Sequence, residues 1–115
     1  MSEHRIARLG RQIQEEIGAL IVEQKVKDPR VDPFLSITRV EVSRDLSFAD
    51  VYVSSFETEK RLERGVAGLT SAAGFIQSML NAKMRIRMTP KLRFHVDQSI
   101  REGFDLVKKI EELGD

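Results

Sequence analysis

Two runs of alternating apolar side chains, SITRVEVS at 36–43 and FADVYVS at 48–54, are separated only by Arg44-Asp45-Leu46-Ser47. Period-two alternation gives an extended chain one apolar face, and so short a turn-like connection brings the second run back antiparallel to the first. In the first run Thr38, Val40 and Val42 share a face opposite Ile37, Arg39 and Glu41. In the second, Ala49, Val51 and Val53 lie opposite Phe48, Asp50 and Tyr52. A third alternation comes much later, with Leu92, Phe94 and Val96 opposite Lys91, Arg93 and His95. Phe34 and Phe56 flank the hairpin and are expected to cover the ends of its core.

The remaining chain carries helical periodicity. Ile6, Leu9, Ile13, Ile17 and Leu20 form a stripe in a first helix expected over 4–26, ended by Asp28-Pro29. A second helix starts in the charged stretch 57–63 and continues through Val66 and Leu69, with Gly65 and Gly68 lowering its propensity. A third presents Phe75, Ile76, Met79 and Leu80 on one face, and Thr89-Pro90 stops that helix or its trailing loop. Ile100, Phe104 and Val107 mark a fourth, with Ser99 as its N-cap and Glu102 at the third helical position. The order is helix, strand, strand, helix, helix, strand, helix. One small sheet burying one face against helices, a two-layer α+β arrangement, is the solution for such a pattern.

Its 115 residues fit one domain spanning 1–115. No apolar run approaches the roughly 18 residues of a membrane span, and MSEHRIARLGRQ lacks the apolar centre of a secretion signal. A cytoplasmic protein without membrane association is expected. With no cysteine there is neither a disulfide nor a thiolate metal site.

The net charge of +1 conceals a division. Between Ser71 and Val96 stand Lys83, Arg85, Arg87, Lys91 and Arg93 and no acid. The other 14 of the 19 Lys and Arg share the rest of the chain with all 18 Asp and Glu, a balance of −4. A positive segment on a mildly acidic body favours an anionic partner. Arg5, Arg8 and Arg11 recur every third residue along the first helix as a looser basic ridge, and Arg44 lies in the hairpin turn.

Catalysis finds little support. His4 and His95 are far apart, and no carboxylate is spaced beside them as a metal or base partner. Ser71, Ser78 and Ser99 sit in no nucleophile elbow, and no phosphate-binding glycine loop occurs. Asp45, Asp50 and Asp97 are separated and define no site. Neither a metal nor a cofactor is expected. The basic residues suit phosphate neutralisation, and the low aromatic content (6%) favours recognition of RNA shape and backbone over base stacking. Phe75, Phe94, Tyr52 and Met79 are expected in or beside the core, whereas Met84 and Met88 remain open as docking side chains.

Three stretches, RIARLGRQIQEEIGALI, ITRVEVSRDLSFADVYVS and SAAGFIQSMLNAKMRIRMTPKLRF, carry a resemblance over nearly the whole chain. It resembles the bacterial ribosome-binding factor A family of 30S subunit assembly factors. The resemblance implies a type II KH-like fold, α-β-β-α-α-β-α, in which an Ala-x-Gly interruption replaces the usual Gly-x-x-Gly loop. Here the interruption is Ala72-Ala73-Gly74, with Gly74 expected to let the backbone leave helical geometry. It further implies a non-catalytic monomer binding 16S rRNA near its 5′ end and assisting late rRNA processing, including growth in the cold. Small-subunit proteins and an assembly GTPase are implied as further partners. RNA contacts are expected from Lys83, Arg85, Arg87, Lys91 and Arg93, and secondarily from Arg5, Arg8, Arg11 and Arg44.

Overall fold

The computed structural model describes residues 2–86 and 88–99, so the fourth helix expected from Ile100 onward lies outside the described residues, as does Arg87. Helix α1 spans Glu3–Val22, with the Ser2 side chain capping it by accepting from the Arg5 amide. Its stripe lands as its spacing requires, with Ile13, Ile17, Leu20 and Ile21 buried. The helix stops short of the expected 26. Gln24 adopts a left-handed φ of 56°, and the amides of Gln24 and Lys25 donate back to the Ile21 and Leu20 carbonyls at 3.0 and 2.9 Å. This paired closure satisfies the orphan carbonyls and turns the chain, so that Val26 folds into the core.

Strands β1 (Ser36–Val42) and β2 (Phe48–Ser54) pair antiparallel. Their turn is fastened by Asp45 Oδ1, which accepts from the Ser47 amide and the Ser43 hydroxyl. The register shifts between Ile37 and Arg39, which leaves Thr38 as a bulge. The bulge corrects the expected strand faces. Ile37 stands opposite Val53 and joins Val40 and Val42, opposite Val51 and Ala49, on the inner side. Gln14 of α1 donates to the Ile37 carbonyl at 3.0 Å, and Thr38 Oγ1 donates to Asp97 Oδ2 at 2.5 Å, so polar groups released by the bulge are satisfied.

Helices α2 (Glu59–Ser71) and α3 (Ala73–Met84) lead to β3 (Lys91–Val96). β3 runs parallel to β2, giving the sheet order β1-β2-β3. Parallel neighbours need a crossover, and the α2–α3 pair supplies it. The three helices pack on one side, where Ala49, Val51 and Val53 are wholly buried against Ile13, Ile17, Leu62, Leu69, Ile76 and Leu80.

Two close approaches account for glycines that propensity alone disfavours. A Cβ on Gly10 would lie 2.8 Å from the Val40 carbonyl oxygen, so α1 rests directly on the β1 backbone. On Gly68 it would meet Val31, Arg30 and Asp28 at 2.9–3.1 Å, where the loop after α1 crosses α2. Arg30 holds that loop with three hydrogen bonds to Asp28, one from its amide and two from its guanidinium, and one to Ser71 Oγ at 3.1 Å. The side-chain hydrogen bond from Arg30 draws the Asp28 carboxyl down to about 2.

Other expectations fail on burial. Phe34 and Phe56 are exposed; at the N-terminal flank of the hairpin it is Leu35, packed over Gly65, that enters the core instead. Phe75 (46% exposed) and Met79 (37%) lie outward, since α3 buries only its Ile76–Leu80 line. The interruption between α2 and α3 falls at Ala72, which caps both helices at φ −90° and ψ 4°. Gly74 has no positive φ and sits in the first turn of α3 with open space where its Cβ would be. The bend therefore does not draw on the conformational freedom of glycine.

Gly10→Ala is expected to destabilise by about 1–2 kcal/mol, since a backbone carbonyl cannot rotate away from the added methyl. Gly74→Ala is expected to stabilise by about 0.4–1 kcal/mol by restricting the unfolded chain. Urea denaturation midpoints of the two variants should move in opposite directions.

Candidate nucleic-acid interface

The parallel pairing of β3 determines where the basic segment sits. α3 delivers the chain to Arg85, a left-handed C-cap with φ 53° whose amide donates to the Asn81 carbonyl at 3.1 Å. Thr89 Oγ1 donates to Asn81 Oδ1, tying the segment before β3 back to the helix. β3 then begins beside the hairpin turn, the Lys91 amide donating to the Ser47 carbonyl at 2.8 Å. The start of α1 reaches the same end. Arg5, Arg8 and Leu9 line a groove of about 580 Å³ together with Leu46, Ile86 and Met88. Arg5 and Arg8 line this groove beside Ile86 and Met88, so the arginines of α1 adjoin the segment that carries Arg85 and Lys91, and all four cations are exposed.

The remaining expected contacts are placed differently. Lys83 pairs with Glu16 of α1 at 3.3 Å. Arg44 pairs with Glu3 at 3.3 Å, both almost fully exposed, so this pair contributes little to stability. Arg11 lies away from the cluster and lines a separate groove with Val22, Pro33 and Phe34. Ala72-Ala73-Gly74 is at the opposite end of α3 from Arg85, roughly 18 Å away at the rise of an α-helix. The helix break and the basic cluster are not neighbours.

The outer face of the sheet holds residues that the sequence patterns did not single out together. Arg93 donates to both oxygens of Asp50, at 2.9 and 3.1 Å, and His95 Nε2 lies 2.8 Å from Asp50 Oδ1. His95 therefore has a carboxylate partner, which linear spacing could not reveal because Asp50 belongs to the neighbouring strand. Arg39 stacks on Tyr52 with its guanidinium carbon 4.0 Å from the ring centroid, and Arg93 stacks on Phe48 at 4.2 Å. Tyr52 and His95 rings are 5.3 Å apart. The alternation Lys91, Arg93, His95 was the available signal; its partners on β1 and β2 became identifiable only with the strand order.

Among the described residues no group of three or more His, Cys, Asp or Glu could hold a metal ion, and no helix is long and apolar enough to cross a membrane. Asp50 is occupied by Arg93 and His95, which makes this His–carboxylate pair part of a surface ladder.

The fold and the gathered cations define a small α+β protein with a mixed three-stranded sheet, helices on one face and a basic end. The family profile described as "Ribosome-binding factor A" matches residues 5–110. A ribosome-binding factor A of Treponema denticola is 56% identical over 113 residues, covering 98% of this chain and 86% of that protein. The crystal structure of ribosome-binding factor A from Thermus thermophilus superposes with a TM-score of 0.66 at 30% identity, covering 79% of this chain and 94% of that one. A Thermus thermophilus homology model of the factor, fitted into a cryo-EM map of a complex with the 30S subunit, gives 0.65 at 28% identity, covering 81% and 96%. The chain belongs to the ribosome-binding factor A family.

Burial pushes the Asp50 carboxyl up, but the hydrogen bonds and charges of His95 and Arg93 outweigh it and hold the group below its ordinary value. A depressed carboxylate contributes stability that is present above the unfolded value of about 3.9 and lost as the pH falls through the folded value. Asp50→Asn should therefore lower stability at neutral pH and flatten its decline below about pH 4. Urea titrations at stepped pH check this, and a decline as steep as that of the parent chain would contradict it.

Proposed function

We propose that this chain is an assembly and maturation factor of the 30S ribosomal subunit. It binds 16S rRNA near its 5′ end and assists late rRNA processing, including in the cold, by binding and not by catalysis. Membership of the ribosome-binding factor A family supports the general role. The observation that carries the RNA-binding part is the groove that brings Arg5 and Arg8 beside Ile86 and Met88, in the segment where Arg85, Arg87 and Lys91 follow one another in sequence.

Phosphate contacts made by long exposed cations confer affinity without sequence reading, which suits a factor that recognises a fold of rRNA and then leaves it. Release follows when maturation removes the complementary arrangement of phosphates. The element order α-β-β-α-α-β, with a helix break at Ala72 and β3 parallel to β2, supports reading the chain as one type II KH-like domain over 1–115. In that reading Ala72-Ala73-Gly74 is the helix–kink–helix motif. The factor works in the cytoplasm as a monomer, and small-subunit proteins and an assembly GTPase are its further partners. Lys83, Arg93, Arg11 and Arg44 then act as secondary contacts, since three of them carry acidic partners in the free protein.

Co-sedimentation with precursor and mature 30S subunits in sucrose gradients tests this reading. Binding to the precursor is expected, and a chain that remains at the top of the gradient overturns it. Arg85→Ala combined with Arg87→Ala should reduce the dependence of log affinity on log salt by about one to two units, given roughly 0.7–0.9 per phosphate contact. Thermal stability of the double variant should stay close to that of the parent.

A further inference from the structure

The outer face of the sheet is covered by no described element, yet its side chains are held in fixed stacks. Arg93 is the clearest case. Its N–H edge is taken by the Asp50 carboxylate at 2.9 and 3.1 Å, and one face of its guanidinium lies on the Phe48 ring at 4.2 Å. The side chain nevertheless remains 49% exposed. Arg39 repeats the arrangement on Tyr52 at 4.0 Å, with Glu41 3.5 Å from its Nη1 and 53% of the side chain exposed. Tyr52 and Phe48 lie four residues apart on β2, so the two platforms are roughly 13 Å apart at the rise of a strand.

Charge decides what such a face would bind. Both carboxylates are engaged by neighbouring cations, so the attraction of Arg39 and Arg93 for a further anion is already partly spent. Ion pairing through the edge does not consume the π surface, and guanidinium planes stack on nucleobases as aromatic rings do. Lys91, with no described carboxylate within ion-pair distance, stands on the same strand where the open face meets the basic end. We propose that this open face receives unpaired nucleobases of an RNA strand on the guanidinium planes of Arg39 and Arg93, while Lys91 neutralises its phosphates. The inference rests on the chain's being an rRNA-binding protein, and it specifies that unpaired nucleotides are what this face takes. A duplex hides its base faces within its own stack and gains nothing from these planes.

The full-length chain would be titrated with a fluorescein-labelled uridine dodecamer and with an RNA duplex of equal phosphate count. Arg39→Lys and Arg93→Lys keep the charge and remove the plane. Each should weaken dodecamer binding about five-fold or more, the lower end of what one stacking contact contributes, and weaken duplex binding by a smaller factor. Photo-crosslinking with an iodouridine dodecamer should label Tyr52, Phe48 or His95, which keeps the proposal testable if a lysine variant folds poorly. Lysine variants that bind the dodecamer like the parent overturn the proposal, as do crosslinks confined to 83–91. A loss shared equally by an oligoglutamate peptide also overturns it, because the face would then serve acidic protein segments. Each of these outcomes is separate from the fate of the assembly-factor reading, which is decided by whether the parent chain sediments with precursor subunits.

Discussion

The architecture hangs on the inner face of β2. Ala49, Val51 and Val53 have no solvent exposure, and each is flanked on both sides by strand neighbours. β1 reaches them through a tight turn, but β3 reaches them in parallel, which obliges the chain to travel the length of the sheet before pairing. The α2–α3 pair makes that journey on the helical side. Its return point is therefore dictated: the segment after α3 must arrive where β2 begins, next to the hairpin turn. That is how Ile86 and Met88 come to line a groove with Leu46 and the start of α1, and how the Lys91 amide meets the Ser47 carbonyl. A hydrophobic pairing rule thus places a charged surface.

Within that surface, partnership separates cations of equal formal charge. Lys83, Arg44 and Arg93 have carboxylates at 2.9–3.3 Å, so part of any new contact with phosphate replaces an existing one. The arginines Arg5 and Arg8 rise over an apolar groove containing Leu9, Leu46, Ile86 and Met88. Gln12, Asp45 and Ser47 are the other polar members of that groove, so Arg5 and Arg8 share it with one carboxylate. The exposure of Met88 (82%) gives this end an adaptable apolar side chain as well.

Much of this was legible in sequence because burial imposes a period. The line Ile13, Ile17, Leu20 and the alternation Ala49, Val51, Val53 declare their inner faces directly. Legibility failed where one residue breaks the period or a contact crosses chain segments. The Thr38 bulge moves Ile37 inward, out of phase with a regular strand. Gln24 takes a left-handed turn usually signalled by glycine, so α1 ends without its customary marker. Gly74 misled in the other direction: a glycine beside a helix break invites a role in bending, yet Ala72 makes the break at φ −90° and ψ 4°, a bridge conformation that needs no glycine. The charge segment was visible as composition, but that Arg5 and Arg8 share a groove with Ile86 and Met88 of that segment while Arg11 lines another emerges only from the packed structure.

The two exposed surfaces differ in how they would respond to their surroundings. Contacts between long cations and phosphate draw their free energy from released counterions and weaken steeply with salt. Stacked guanidinium planes act through dispersion and desolvation, with their charge already shared with Asp50 and Glu41. β3 carries members of both, Lys91 at its start and Arg93 two residues on, so a bound strand engaging one would be led toward the other. The rigidity of that lead comes from the sheet: Arg93 and Tyr52 project from strands whose opposite faces are locked in the core by Phe94 and Val51. Loss of packing on the inner face would therefore disturb the outer stacks and, through α1 and the start of β3, the cations Arg5, Arg8 and Lys91 as well, which makes the hydrophobic core of β2 the common support of both surfaces.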